Sequence, residues 1–148
     1  MASSRNSNSA NVTESVAAVL RRVVQPGSRI VVGLSGGVDS IVLLSALAEL
    51  APGMRFSLRA LHVNHGISAN APRWAQFCAE CCGRLNIPLT IEQVSIGRHR
   101  AQGLEGAARR ARYEAYAGAD ADFIALAHHR DDQAETLLIQ LLRGAGPQ

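Results

Sequence analysis

Residues 31–44, VVGLSGGVDSIVLL, pass from one apolar run through a small polar knot into another. Few folds accept that order. The first run, within SRIVVGL, is short and rich in β-branched residues, as a buried strand requires. The second, SIVLLSALAEL, is longer and apolar nearly all round, as a helix packed against a sheet requires. Between them lie two adjacent glycines, Gly36 and Gly37, with Ser35 before them and Asp39 and Ser40 after. The chain must therefore leave a strand, turn within a few residues and enter a helix.

The same alternation fills the rest of the sequence. NVTESVAAVLRRVV reads as an opening helix with Asn11 as its N-cap, ended by Gln25, Pro26 and Gly27. Pro52 and Gly53 are expected to stop the helix after the glycine turn. RFSLRALHVN gives a second strand, and Pro72 suits the first turn of the helix that follows its loop. LTIEQVSI is a third strand, LEGAARRARYEAYAGA a helix, DFIALAH a fourth strand, and DDQAETLLIQLLRG a last helix closed by Gly144. Strands alternating with helices imply an α/β fold: a doubly wound parallel sheet, Rossmann-like, with helices on both faces. Residues 1–10 are polar and read as a disordered tail. Residues 11–148 form one domain, and the loop-like ending RGAGPQ leads us to expect an incomplete C-terminus. No apolar run approaches a membrane span and the N-terminus lacks a secretory pattern, so a cytoplasmic, membrane-free protein is expected.

The three cysteines, in CAECC, raise a metal or redox reading. Their spacing favours packing. Trp74, Phe77, Cys78, Cys81, Cys82 and Leu85 recur as one helix face, in which cysteine acts as a small buried hydrophobe.

In a doubly wound sheet, ligands bind beyond the carboxyl ends of the strands. The turn from Ser35 to Ser40 lies there. Gly36 and Gly37 let backbone N–H groups approach an anion with no Cβ in the way, and the following helix points its positive end at the same place. A phosphate chain is the natural guest. Asp39 would repel phosphates unless a cation stands between, which implies magnesium. All fifteen basic residues are arginine and none is lysine, so the loop cannot be the lysine-bearing one of Walker-type NTPases, nor is it a G-x-G-x-x-G turn. His62, His65, His128 and His129 fall at two strand ends. They suit nucleotide or base contacts, with zinc as the alternative, and His65 and His129 make the better active-site pair.

The string S-G-G-V-D-S matches the pyrophosphate loop, S-G-G-x-D-S, of the N-type ATP pyrophosphatases. LHVNHG (61–66), LEGAARRARY (104–113) and AHHRDDQAETLLIQLLRGAG (127–146) follow in order. Together these resemble the tRNA(Ile)-lysidine synthases over nearly everything after the tail. The resemblance implies a ligase that uses ATP to adenylate C2 of wobble cytidine 34 in the isoleucine tRNA whose anticodon is CAU. The amine of free L-lysine then displaces AMP. It implies ATP contacts from Ser35, Gly36, Gly37, Val38, Asp39, Ser40, His62 and His65, and Mg2+ at Asp39 and Asp132. It also implies catalytic roles for Asp39, Arg109 and Asp132, with Arg112 and His129 on the substrate. Arg112 has the alternative of a merely solvated helix face. Asp132 is favoured narrowly over Asp131, and a homodimer is left open. Two rivals remain. A tRNA 2-thiocytidine thiolase would place cysteines nearer the arginine helix and usually carries lysine where Val38 stands. A non-catalytic ATP-binding module would need neither EGAARRARY nor HHRDDQAET.

Overall fold

The computed structural model describes residues 3–97, 103–129 and 137–143, with side chains over 9–97 and 103–127. Its elements are α1 (Ser3–Val23), β1 (Arg29–Leu34), α2 (Val38–Met54), β2 (Ser57–Asn64), α3 (Ala71–Leu85), β3 (Leu89–Gln93), α4 (Leu104–Ala117), β4 (Phe123–His129) and β5 (Leu137–Arg143). The strands form one sheet in the order β3-β2-β1-β4-β5. β1, β2, β3 and β4 are mutually parallel, with Leu34 level with His62 and Val32 level with Ala125. The chain builds β1, β2 and β3 to one side and then returns to lay β4 against the other edge of β1. The strand order therefore reverses at β1, which is where open α/β sheets leave a crevice for ligands.

Alternation along the strands separates two cores. Ile30, Val32, Leu34, Leu58, Ala60 and Ala125 face α2 and α3, with Leu43, Leu44, Leu47, Cys78 and Cys82 between them, and α1 adds Val16 and Leu20 over α2. Val31, Leu61, Val63, Ile124 and Leu126 face the opposite way, against Ala115 and Tyr116 of α4. Helices thus cover both faces, as expected. No helix of the described residues is long and apolar enough to cross a membrane.

Three boundaries differ from the sequence reading. α1 begins at Ser3, so residues 3–10 are helix rather than tail, and Asn11 lies inside the helix, its carbonyl accepting from the Ser15 hydroxyl. The polar segment holds no glycine or proline, and extending an established helix costs far less than starting one. α2 runs through Pro52 and Gly53 and ends at Arg55, whose left-handed φ of 56° lets its N–H cap the Ala51 carbonyl. The third difference is residues 137–143, expected in a helix. They form β5, antiparallel to β4 from His129↔Leu137 to Phe123↔Arg143. The free edge of β4 offers a row of unpaired backbone groups, and LLIQLLR is apolar enough on both faces to serve as a strand.

An ion cluster closes the sheet at the end remote from the glycine turn. The Arg29 guanidinium donates to both Asp120 and Asp122, and the Asp122 carboxylate also accepts from the Arg29 N–H at 2.8 Å. These hydrogen bonds hold the Asp122 carboxyl below the usual carboxylate range. A depressed folded value stabilises the fold above the unfolded value of about 3.9, and that contribution disappears as pH falls through the folded value. Asp122→Asn should therefore melt below wild type at pH 7, with the gap closing below about pH 4. Melting curves of both proteins between pH 7 and pH 2 check this; a gap independent of pH would contradict it.

Candidate functional site

β1 delivers the chain into the turn at Leu34, and Gly36 makes the bend with a φ of +88°, a region that L side chains rarely adopt. Gly37 is the N-cap of α2 and makes no side-chain capping hydrogen bond. The serines brace the turn from within. Ser40 is buried and its hydroxyl donates to the Gly37 carbonyl at 2.8 Å, while the Gly37 N–H donates to the Ser35 hydroxyl at 3.2 Å. The Ser35 and Ser40 hydroxyls are 3.3 Å apart. The positive end of α2 is thus held open by its own loop, with Asp39 in the first helical turn.

Beside the turn lies a cavity of about 270 Å³ whose walls include Leu34, Ser35, His62, His65, Trp74 and Arg112. Its positions follow from the elements. β2 ends level with β1, so His62 stands next to Leu34 and its Nδ1 lies 2.8 Å from the Leu34 carbonyl. A carbonyl can only accept, so the His62 Nδ1–H is the donor. His65 follows in the turn that the Asn64 side chain shapes by accepting from the Gly66 N–H at 2.9 Å. Its Nδ1 is buried and has no hydrogen-bond partner among the described residues. Burial, then the Arg112 and His62 charges, hold the His65 imidazole below its usual value, which keeps it neutral near pH 7.

α4 brings Arg112 in from the opposite face of the sheet. Its buried positions are Ala107, Ala111, Ala115 and Tyr116. Tyr116 packs at Gly33. A Cβ there would lie 2.7 Å from the Tyr116 hydroxyl and 2.6 Å from Leu126 Cδ2, so the glycine leaves the hollow in β1 that seats the Tyr116 ring. Seating Tyr116 turns Arg112, one helical turn earlier, toward the cavity rather than into solvent.

The candidate residues sort as follows. Ser35, Gly36, Gly37, Asp39 and Ser40 share the turn, and Val38 sits there with its side chain exposed. His62, His65 and Arg112 line the cavity. Arg109 is exposed on α4, its guanidinium 5.6 Å from the centre of the Tyr113 ring, and is not among the lining residues. His129 is the last residue of β4, which runs beyond its last pairing with β1, Ala125, toward the edge that carries the turn. Asp131 and Asp132 lie outside the described residues. Among the described residues no three His, Cys, Asp or Glu side chains gather as metal ligands, and the side chains of His128 and His129, half of the zinc alternative, lie outside them. One magnesium carboxylate is enough where phosphates and water complete the shell.

The cysteine face divides. Cys78, Cys81 and Cys82 are buried against the sheet as free thiols, and burial pushes the Cys78 thiol up to about 11. Trp74, Phe77 and Leu85, expected on the same buried face, are exposed. Trp74 lies against Gly36 instead of in the core. Sequence periodicity alone concealed Trp74 as a wall of the cavity. Its position shortly after LHVNHG, at the sheet end that bears the turn, was the available signal.

No acidic side chain is found among the described residues lining the cavity. The glycine bend and the start of α2 thus adjoin, through Ser35, a cavity whose walls are mostly apolar and include the half-buried Arg112.

Comparison with known proteins agrees. A family model described as the PP-loop domain matches residues 8–148. The tRNA(Ile)-lysidine synthase of Nitrosomonas europaea is 45% identical over 99% of this chain and 32% of its own length. That of Chromobacterium violaceum is 51% identical over 78% of this chain and 27% of its own. The chain therefore spans about a third of the length of the curated relatives it matches. Among solved structures, the U34-tRNA thiolase NcsA from Methanococcus maripaludis superposes with a TM-score of 0.62 at 23% identity, over 78% of this chain and 44% of that one, a likeness of fold alone. A buried strand, a glycine bend carrying SGGVDS and an open helix start are thus joined to a family match over nearly the whole chain, and the chain belongs to the PP-loop domain family.

Proposed function

We propose that the chain is the ATP-using part of a cytoplasmic tRNA-modifying ligase of the lysidine type. The observation that carries this is the strand-to-helix bend at Gly36 and Gly37, whose Ser35 lines the same cavity as Arg112. The amides of the turn receive the phosphates of ATP, and the Ser35 and Ser40 hydroxyls hold the bend in shape. Magnesium would be held by Asp39, with Asp132 as its second carboxylate, and would screen the phosphate charge. Arg112 stabilises charge that grows on the α-phosphate as the cytidine C2 oxygen attacks and pyrophosphate leaves. Neutral His65 offers one donor and one acceptor at the same place. The amine of free lysine then attacks C2, and AMP departs. Arg109, on the outer side of α4, is assigned to the tRNA backbone rather than to the phosphates of ATP.

The similarity to lysidine synthases supports this reading over the thiolase. So does the location of Cys78, Cys81 and Cys82 in the core, where burial disfavours thiolate chemistry. Because the chain aligns with only about a third of those relatives, we place most tRNA selection in the part with no counterpart here. Calorimetry should find magnesium-dependent ATP binding by the 148-residue chain. Pyrophosphate release that depends on both lysine and the CAU-anticodon isoleucine tRNA should appear only with a longer polypeptide. A folded chain that takes up no ATP would overturn the nucleotide assignment, and efficient lysidine formation by the chain alone would overturn the division of labour.

A further inference from the structure

We infer that Trp74 is the stacking wall for a planar nucleobase, held in the cavity between the start of α3 and the end of β2. The inference rests on the phosphate-binding reading of the turn but adds a residue and a ligand part which that reading leaves open. Four observations support it. Trp74 is 47% exposed although its spacing matches the buried cysteines, so the core does not account for it. It stands directly against the bend: a Cβ on Gly36 would lie 3.5 Å from Trp74 Cβ and 3.7 Å from Cγ. The remaining walls supply flat apolar contact from Leu34, Ile67 and Ala71. Finally, His65 lines the same cavity with a buried Nδ1 that no group among the described residues satisfies.

A buried polar nitrogen without a partner is uncommon and asks for one. The edge of a nucleobase provides donors and acceptors in the plane of the ring, while its faces want an aromatic or apolar surface. The anion site adjoins the cavity through Ser35, so a ligand with phosphates at one end and a flat heterocycle at the other fits both parts. Two sources of such a base exist for a tRNA-modifying ATP enzyme: the adenine of ATP and the cytosine of the RNA. The chemistry of the pocket is the same for both.

Trp74 is the only tryptophan in the chain, so its fluorescence reports on this pocket alone. Emission should change on titration with Mg·ATP or adenosine if the base is adenine. It should change instead with cytidine added to an ATP-loaded sample if the base is cytosine. Inorganic tripolyphosphate should bind by calorimetry and leave emission nearly still. Trp74→Ala should weaken whichever base-bearing ligand moves the signal by about 5- to 100-fold, without weakening tripolyphosphate. Trp74→Phe should stay within about threefold, since any aromatic ring keeps the stacking face. Because the residue is half exposed, the variants should melt near wild type, which separates lost stacking from lost fold. If tripolyphosphate or ATP binds but no base-bearing ligand moves the emission or feels Trp74→Ala, the stacking role is overturned and the phosphate loop stands. If neither ATP nor tripolyphosphate binds the folded chain, both readings are overturned together.

Discussion

Asp39→Asn should cost Mg·ATP affinity about a hundredfold and tighten binding of metal-free tripolyphosphate. The two halves of this result have opposite signs, and electrostatics requires both. A carboxylate in the first turn of α2 faces the place where phosphates bind, so without a cation it repels them. With magnesium between, the same charge becomes an attraction. Unit charges about 4 Å apart interact by roughly 4 kcal/mol near a protein surface, and partial exposure of Asp39 reduces that to about 2–3 kcal/mol, which is on the order of two decades in affinity. The amide preserves size and shape, so the loop built by Ser35, Gly36, Gly37 and Ser40 should persist. Calorimetric titrations of wild type and Asp39→Asn, each with and without magnesium, measure all four affinities. A variant whose ATP affinity still rises with magnesium as in wild type would remove Asp39 from the metal site. In a longer, active polypeptide the same substitution should reduce pyrophosphate release by at least about a hundredfold, in line with removal of a single electrostatic group from a reacting centre.

The turn that carries this prediction was legible because its information is local. Adjacent glycines, a short apolar strand and a long apolar helix each act over a few residues, and the structure places Gly36 at the bend and Gly37 at the helix start. The four parallel strands were legible for the same reason. Contacts made across the sheet were not. Whether Arg109 or Arg112 enters the cavity depends on which side of α4 meets the sheet, and that is set by a hollow at Gly33, far away in sequence. Spacing on α4 alone allowed either arginine. The face of α3 misled for a related reason: periodicity says which residues share a side but not how wide a part of that side the sheet covers. Ala71, Cys78, Cys81 and Cys82 are buried, while Trp74, Phe77 and Leu85 on the expected face are exposed. Residues 137–143 show the converse case, where a run apolar on both faces satisfies helix and strand patterns alike, and the open edge of β4 decides. Asp132, the other carboxylate of the proposed metal site, lies outside the described residues.

Gly33→Ala should lower both stability and ATP affinity. Its Cβ would fall 2.6 Å from Leu126 Cδ2, 2.7 Å from the Tyr116 hydroxyl and 2.8 Å from Tyr116 Cζ, closer than real Cβ atoms come. Both neighbours are buried, Leu126 at 3% and Tyr116 at 6% exposure, so neither can swing into solvent to make room. Overpacking of this kind costs about 1–3 kcal/mol, and in a chain of this size each kcal/mol lowers Tm by about 2–4 °C. The relief available is for α4 to back away from the sheet, which carries Arg112 out of the cavity and lowers ATP affinity together with Tm. Leu126→Ala removes the nearest obstructing atom, so Gly33→Ala should cost less in that background than alone, a coupling that a double-mutant cycle in urea measures. Gly53→Ala is the contrasting control: it lies in α2 with nothing within 4 Å of its would-be Cβ, and should raise stability by about 0.5–1 kcal/mol through helix propensity. Should Gly33→Ala melt and bind ATP like wild type, Tyr116 would not be seated in that hollow, and the placement of Arg112 beside the turn would lose its cause.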